Sequence, residues 1–260
     1  MIDGAYILAG ALTGFVVGLT GVGGGALMTP ILLIVFSMSP ATTVATDLWF
    51  AAITKIAGAR VHHKNGQVDW QVVKRLWAGS LPVAALTVFL VSFGSRNYKI
   101  EWLTKAIGIV LLVTAVGLLL APKLLQHARD RRIGNPERFK AIQPALTVLA
   151  GALLGVCVAL TSVGAGALGS VLLLYLYPLR MHPHKLVATD IVHAIPLAIV
   201  SGVAYLFAGM VDWWVLANLL IGSIPAVLLG SHLAGKVAGR WLQLAIAAVL
   251  IAAGAKVLAM

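Results

Sequence analysis

Thr20-Gly-Val-Gly-Gly-Gly-Ala-Leu27 lies within residues 4–46, a stretch of the chain that contains no charged side chain. A second copy, Thr161-Ser-Val-Gly-Ala-Gly-Ala-Leu168, lies within residues 141–179, which are also uncharged. Three further blocks recur in the same order: Val-Ala-Thr-Asp at 44–47 and 187–190, Gly-x-Val-Asp-Trp at 66–70 and 209–213, and Gly-Ser-x-Pro at 79–82 and 222–225. Four matched blocks in register indicate an internal duplication.

The composition is that of an integral membrane protein. Hydrophobic residues make up 60% of the 260 residues, charged residues 10%, and the mean hydropathy is +0.99, which is outside the range of soluble globular domains. Asp3 stands where a signal peptide would be basic, so we expect no cleaved leader. The net charge of +11 does not predict a nucleic-acid partner, because the basic residues lie in short connections. The single Cys157 has no partner at ligand spacing, so we expect no metal or cofactor.

Two of the eight apolar segments are too long to be single membrane spans. The segments are residues 6–36, 42–59, 72–93, 103–121, 144–177, 186–207, 214–229 and 241–260. A straight helix as long as the first or the fifth would extend about 45–50 Å, whereas the hydrocarbon core is about 30 Å thick. We therefore expect each of these two segments to fold back at its glycines as a re-entrant-type hairpin.

The distribution of lysine and arginine predicts how the two halves are oriented. If both long segments are hairpins, fifteen of these residues lie on one side of the membrane and four on the other, a strong positive-inside pattern. Each half then has one hairpin and three transmembrane helices, and the halves enter the membrane in opposite orientation. The predicted fold is all-α, with inverted-topology repeats at 1–122 and 141–260 and a basic cytoplasmic linker at 123–140. Both termini are expected outside, in the cell inner membrane.

The two glycine tips are the predicted binding site. Unwound backbone survives in a membrane only where it is buried in protein or lines a wet cavity, and a short helix beginning at each tip would direct its free N–H groups into the break. Such helix ends accept anions. The alternative is that the small residues only allow close helix packing. Duplication favours a site, and its candidate residues are Thr20, Gly21, Val22, Gly23, Gly24 and Gly25 in the first tip and Thr161, Ser162, Val163, Gly164, Ala165 and Gly166 in the second.

Four ionisable residues are candidates for coupling or gating. Asp47 and Asp190 are repeat counterparts within apolar segments, where a carboxylate either has a functional role or caps a helix start. Lys55 has Ala198 as its counterpart, and it either balances an anionic substrate or extends toward the interface. His193 lies one turn from Asp190, and it either shares a proton with this residue or has a structural hydrogen bond.

The chain resembles the TauE/SafE family of sulfite and organosulfonate exporters. The resemblance is carried by Gly18-Leu-Thr-Gly-Val-Gly-Gly-Gly-Ala-Leu27 with Pro30, by Ala45-Thr-Asp47 and by the second copy of the glycine-rich stretch. The resemblance covers essentially the whole chain. It implies transport of a small anion, such as sulfite, thiosulfate, sulfoacetate or a taurine-derived product. The second copy departs from the first at Ser162 and Ala165, so it is open whether both tips contact the substrate equally.

These observations predict a secondary transporter, and not an enzyme, that binds a small sulfur-containing anion near the midplane and exposes it alternately to either side. Proton coupling and a homodimer are further expectations. An anion channel is one alternative, because half-helices meeting at a midplane also form pores. A transporter of a non-sulfur solute is another. An intramembrane enzyme is disfavoured, since no acid, base and nucleophile cluster within the apolar segments.

Overall fold

The computed structural model describes residues 2–20, 25–62, 68–93, 99–134, 136–233 and 239–259, and these residues form helices without any β-strand. The helices in chain order are α1 (Gly4–Thr20), α2 (Gly25–Ile34), α3 (Pro40–His62), α4 (Trp70–Phe93), α5 (Lys99–Gly134), α6 (Pro136–Thr161), α7 (Ala167–Leu176), α8 (Pro183–Phe207), α9 (Trp213–Leu233) and α10 (Gly239–Leu258). The prediction of an all-α protein is therefore confirmed.

Five helical segments of the described chain are long and apolar enough to cross a membrane: Trp70–Val91, Thr104–Ala128, Lys140–Thr161, Lys185–Phe207 and Trp213–Leu233. Shorter apolar helices are Gly4–Leu19, Ala167–Leu176 and Leu244–Leu258. With a rise of 1.5 Å per residue, the ten residues of α7 extend about 15 Å, which is half the thickness of the hydrocarbon core. The protein is thus an integral membrane protein that contains both long and short apolar helices.

In each long apolar segment one helix ends and the next begins at the glycine-rich tip, and the described residues include the whole of the second tip. α1 ends at Thr20 and α2 begins at Gly25, whereas α6 ends at Thr161 and α7 begins at Ala167. Gly164 and Gly166 have φ angles of 131° and 109°, a region that favours glycine. The second break therefore depends on glycine for its backbone conformation.

The segment expected to be a linker, 123–140, is largely helical. α5 continues to Gly134 and α6 begins at Pro136. Glycine is common where helices end, and proline is well suited to the first position of a helix because its missing N–H would have no partner there. The function of this segment as a connection between halves stays a prediction.

The helices that pack most closely come from different predicted repeats. α1 packs along α9, and a Cβ at Gly10 would lie only 2.1 Å from the Leu219 carbonyl oxygen. α4 packs in the same manner along α6, and a Cβ at Gly79 would lie 2.0 Å from the Val148 carbonyl oxygen. Small residues allow such close approach between membrane helices. These two pairs connect the first half of the chain to the second.

The same hydrogen bond also occurs twice between the halves. The Asp69 N–H donates to Thr189 Oγ1, and the Asp212 N–H donates to Thr46 Oγ1, both at 3.1 Å. Each of these bonds connects the Gly-x-Val-Asp-Trp block of one half of the chain with the Val-Ala-Thr-Asp block of the other half. The Asp212 carboxylate also accepts from the N–H of Val215 at 3.0 Å, so it caps the start of α9.

Candidate functional site

The second glycine tip, residues 161–166, has a defined local structure. Thr161 Oγ1 donates to the Cys157 carbonyl at 2.6 Å and accepts from the Val163 N–H at 3.1 Å, so its hydroxyl stabilises the end of α6. Ser162 has a φ of 57° and is buried. Val163 belongs to the main buried apolar cluster, and Ala165 packs against it. Thr161 and Val163 thus have structural roles within the tip, in addition to their predicted binding role.

The first glycine tip is described only at its two ends. Thr20 is the last residue of α1, and Gly25 is the first of α2. The other predicted site residues of this tip, Gly21, Val22, Gly23 and Gly24, lie outside the described residues. Their predicted binding role stays a prediction.

Asp190 and Lys55 form a buried ion pair next to the second tip. Lys55 Nζ lies 3.4 Å from Asp190 Oδ2, and the two side chains are 3% and 2% exposed. The other carboxylate oxygen, Oδ1, accepts from the Gly166 N–H at 3.1 Å, immediately before α7 begins. The alternative that Lys55 extends toward the interface is therefore wrong, because its side chain is buried beside Asp190. The carboxylate compensates the cost of burying the ammonium group. The N–H that the sequence assigns to a substrate anion donates to Asp190 in this structure.

Gly169 provides the space that this ion pair needs. A Cβ at this position would lie 2.6 Å from Asp190 Oδ1, well inside van der Waals contact. Gly169 is one turn beyond Gly166 on α7, and its N–H donates to the Gly164 carbonyl at 2.9 Å. The glycine content of the second copy therefore has a physical reason beyond the tip itself.

Asp47 has a different environment from its repeat counterpart. It is completely buried, and Thr29 Oγ1 is hydrogen-bonded to its Oδ2 atom. Thr29 Oγ1 also lies 3.1 Å from the carbonyl oxygen of Thr161, the last residue of α6. Asp47 thus lies beside the C-terminal end of α6, whereas Asp190 lies beside the N-terminal end of α7. The capping alternative fails for Asp47, because α3 begins seven residues earlier, at Pro40.

His193 contacts the first half of the chain. Its Nε2 atom lies 3.0 Å from Ser80 Oγ, and its carbonyl oxygen accepts from Trp77 Nε1 at 3.2 Å. Its Nδ1 atom has no hydrogen-bond partner among the described residues. The structural alternative for His193 is therefore realised through Ser80, and no hydrogen bond to Asp190 is present in the described part of the chain.

The repeat counterpart of Ser80 also contacts a polar side chain of the other half of the chain. Thr54 Oγ1 lies 3.1 Å from Ser223 Oγ, and Ser223 is the repeat counterpart of Ser80. A small pocket beside Lys55 is lined by Val17, Thr54, Gly58, Ile191, Val227 and Ser231. The sequence analysis did not single out Thr29, Thr54, Ser80 or Ser223. The recurrence of Gly-Ser-x-Pro was the signal that could have identified the two serines.

A second charged cluster lies where α4 and α8 begin, at the ends of two candidate spans, and its Asp69 lies outside these spans. Asp69 pairs with Arg180 Nε at 2.6 Å and with Lys185 Nζ at 3.0 Å. Burial by itself raises the pKa of Asp69, but the hydrogen bond from Lys185 and the charges of Arg180 and Lys185 outweigh it, so the pKa lies below its ordinary value of 3.8. The cluster joins the first half of the chain to the second.

The described residues contain no group of three or more His, Cys, Asp or Glu side chains that could bind a metal ion. The polar centre instead combines two carboxylates, one ammonium group, hydroxyls, the end of α6 and the start of α7. Such an arrangement can bind a small anion and exchange a cation, but it lacks the ligand set of a transition-metal site.

Comparisons with known proteins give a consistent result over nearly the whole chain. Residues 6–257 match the model of a family described as "Sulfite exporter TauE/SafE". The probable membrane transporter protein YjnA of Bacillus subtilis (strain 168) is 37% identical over 260 residues, which cover 98% of this chain and 99% of the relative. YdhB of the same organism, also named a probable membrane transporter protein, is 24% identical over 86% of this chain and 87% of its own length. No solved structure is significantly similar to the chain.

Proposed function

Because this chain belongs to the TauE/SafE sulfite exporter family and is a membrane transporter, we propose that it carries small sulfur-containing anions, such as sulfite or organosulfonates. The proposed protein is a secondary transporter that functions by alternating access. This proposal is supported by a relative of nearly equal length that is named a probable membrane transporter. Its proposed location is the cell inner membrane, with both termini outside.

The proposed architecture is a pair of inverted repeats, each with a broken hairpin. It is supported by the two reciprocal hydrogen bonds from Asp69 to Thr189 and from Asp212 to Thr46. It is also supported by the equivalent pairing of α1 with α9 and of α4 with α6. Binding sites of transporters with such repeats lie near the midplane, where broken helices meet. Relative movement of the halves around these contacts would expose the site to either side.

The observation that carries the proposed anion site is the contact of Asp190 with the second tip. A carboxylate oxygen accepts from the Gly166 N–H while the other carboxylate oxygen pairs with Lys55. This N–H and this ammonium group therefore stabilise a negatively charged oxygen within the apolar core. We propose that the substrate anion takes over these donors when Asp190 moves away. Ser162 Oγ, which is buried and has no hydrogen-bond partner among the described residues, supplies a further donor.

The experiment is anion uptake into proteoliposomes, with sulfite, thiosulfate, sulfoacetate, taurine, sulfate and chloride compared. Removal of one hydrogen bond to a charged group costs about 1.5–3 kcal/mol. We therefore expect Ser162→Ala to weaken the apparent affinity for the transported sulfur anion about 10- to 100-fold.

Ser201→Ala is the matched control. Ser201 is also completely buried without a hydrogen-bond partner among the described residues, but it lies eleven residues beyond Asp190 on α8. The Ser201→Ala variant should therefore have the same apparent affinity for the transported sulfur anion as the wild type. Equal affinities of the wild type and Ser162→Ala would contradict the binding site, whereas transport of none of the sulfur anions would contradict the substrate class. Non-saturable flux with measurable conductance would favour a channel.

A further inference from the structure

The two repeated aspartates differ in how their charge is balanced. Asp190 has a permanent cation, the Lys55 ammonium group, at 3.4 Å. Asp47 is completely buried, and no described lysine, arginine or histidine forms an ion pair with it. Burial of an unpaired carboxylate costs several kcal/mol. The structure thus compensates the charge of Asp190 within the chain, whereas Asp47 has no cationic partner among the described residues.

The sequence explains this difference through a single repeat position. Lys55 lies eight residues beyond Asp47, and its counterpart eight residues beyond Asp190 is Ala198. Ala198 is buried in the same apolar cluster as Ala45 and Leu48, which flank Asp47. Lys55 on α3 therefore neutralises Asp190 on α8. At the equivalent position of α8, Ala198 has only a methyl group and cannot neutralise Asp47.

The oxygen atoms around Asp47 are those that a small cation requires. Thr29 Oγ1 contacts both Asp47 Oδ2 and the Thr161 carbonyl oxygen, although a hydroxyl has only one proton to donate. Asp47 Oδ1 and Ser162 Oγ have no hydrogen-bond partner among the described residues. The Thr161 carbonyl is at the C-terminal end of α6, where the helix dipole is negative. The arrangement lacks one positive charge.

We propose that Asp47, Thr29 and the Thr161 carbonyl form a site for one exchangeable monovalent cation, which is Na⁺ or a proton. Lys55 is the permanent equivalent of this cation at Asp190. Broken-helix carbonyls and C-terminal helix ends are known means of binding coupling ions in transporters. The inference rests on the proposed function, because it assigns the coupling ion of that transporter to Asp47 and not to Asp190.

The other buried ionisable side chains described in the membrane core already have identified contacts or solely apolar surroundings. Lys55 pairs with Asp190, His193 contacts Ser80, and the Tyr205 hydroxyl donates to the Ala159 carbonyl at 3.0 Å. Cys157 lies in an apolar cluster. A cation effect that depends on Asp47 can therefore be separated from titration of these groups.

The test is thermal unfolding of the purified full-length protein over a range of Na⁺ concentrations and pH values, with choline keeping the ionic strength constant. A cation that binds only the folded state raises its midpoint. In the sodium arm, Na⁺ stabilises the wild type, and Asp47→Asn weakens the apparent Na⁺ affinity at least tenfold. In the proton arm, Na⁺ and choline are equivalent, and Asp47→Asn removes a pH-dependent change of the midpoint. Asp212→Asn is the matched control, since asparagine caps helices as well as aspartate does.

Two further variants test whether a lysine ammonium group and a bound cation can replace each other beside these aspartates. Ala198→Lys places an ammonium group at the counterpart of Lys55 and should abolish the cation response. Lys55→Ala should add a second response, which depends on Asp190. If Ala198→Lys does not fold, Lys55→Ala alone decides this point.

Identical Na⁺ and pH responses of the wild type and Asp47→Asn would overturn the proposal. The measurement contains none of the sulfur compounds of the uptake experiment, and the counter-ion of Na⁺ and choline is the same throughout. An unexpected substrate in the uptake experiment would thus refute the proposed function and leave the cation site in place.

Discussion

Loss of the Lys55 ammonium group should destabilise the protein more than any exposed substitution, because Asp190 would stay buried without its partner. With Nζ and Oδ2 separated by 3.4 Å, the attraction between unit charges is about 5 kcal/mol at an effective dielectric constant of 20. The hydrogen bond from Gly166 persists and compensates a part of this. We therefore expect Lys55→Met to lower the free energy of unfolding by about 3–4 kcal/mol.

The assay is equilibrium unfolding in mixed micelles, without Na⁺, of a double-mutant cycle. Lys55→Met, Asp190→Asn and the double variant together give the coupling free energy between the two side chains. Because the double variant has no unpaired charge, it should be more stable than the sum of the single changes predicts, by about 2–4 kcal/mol. The neutral pair Thr54→Val and Ser223→Ala, whose hydroxyls lie 3.1 Å apart, serves as a control, with an expected coupling of about 1 kcal/mol. Additive effects of the Lys55 and Asp190 substitutions would refute this reasoning.

Two further predictions concern helix packing and pH. Gly79→Ala should destabilise the contact of α4 with α6 by about 1–3 kcal/mol in the same assay, since its Cβ would lie 2.0 Å from the Val148 carbonyl oxygen. Gly58→Ala, with 3.5 Å to its nearest neighbour, should be tolerated, and equal effects of the two changes would contradict the packing argument. Asp69 has a lowered pKa, so its stabilisation is present above its ordinary value of 3.8 and is lost as the pH falls through the lower value in the folded protein. Unfolding measured against pH should therefore show a weaker acid dependence in Asp69→Asn than in the wild type, and identical profiles would argue against this ion-pair cluster.

The sequence predicted the interruption of the second long apolar segment correctly, because the evidence for it is local, whereas the folding of both segments into hairpins stays a prediction. Apolar length sets a limit on straight helices, and the glycines of residues 161–166 are the positions where a helix can end inside an apolar run. The structure ends α6 at Thr161 and begins α7 at Ala167. In the same way, the apolar segments 72–93 and 214–229 predicted two helices, and the structure begins these helices at Trp70 and Trp213.

The extent of helix between the halves was not predicted, for an equally local reason. Charged residues in 123–140 suggested an exposed linker, yet such residues are compatible with helix where no apolar face is required. α5 ends at Gly134 and α6 begins at Pro136. Charge composition did not indicate this conformation, and the side of the membrane that it predicts for this segment stays a prediction.

The sequence by itself determined that this chain is an all-helical membrane protein of the TauE/SafE family with a duplicated pattern, because hydropathy, glycine placement and repeated motifs are properties of short stretches. The tertiary structure alone decided the partners of the four buried ionisable residues. Lys55 and Asp190 are 135 positions apart, and Thr29 is 132 positions from the Thr161 carbonyl that it contacts. Folding in an apolar core places such distant groups together, since a buried charge or hydroxyl costs free energy unless it has a partner. No spacing along the chain encodes which partner that is.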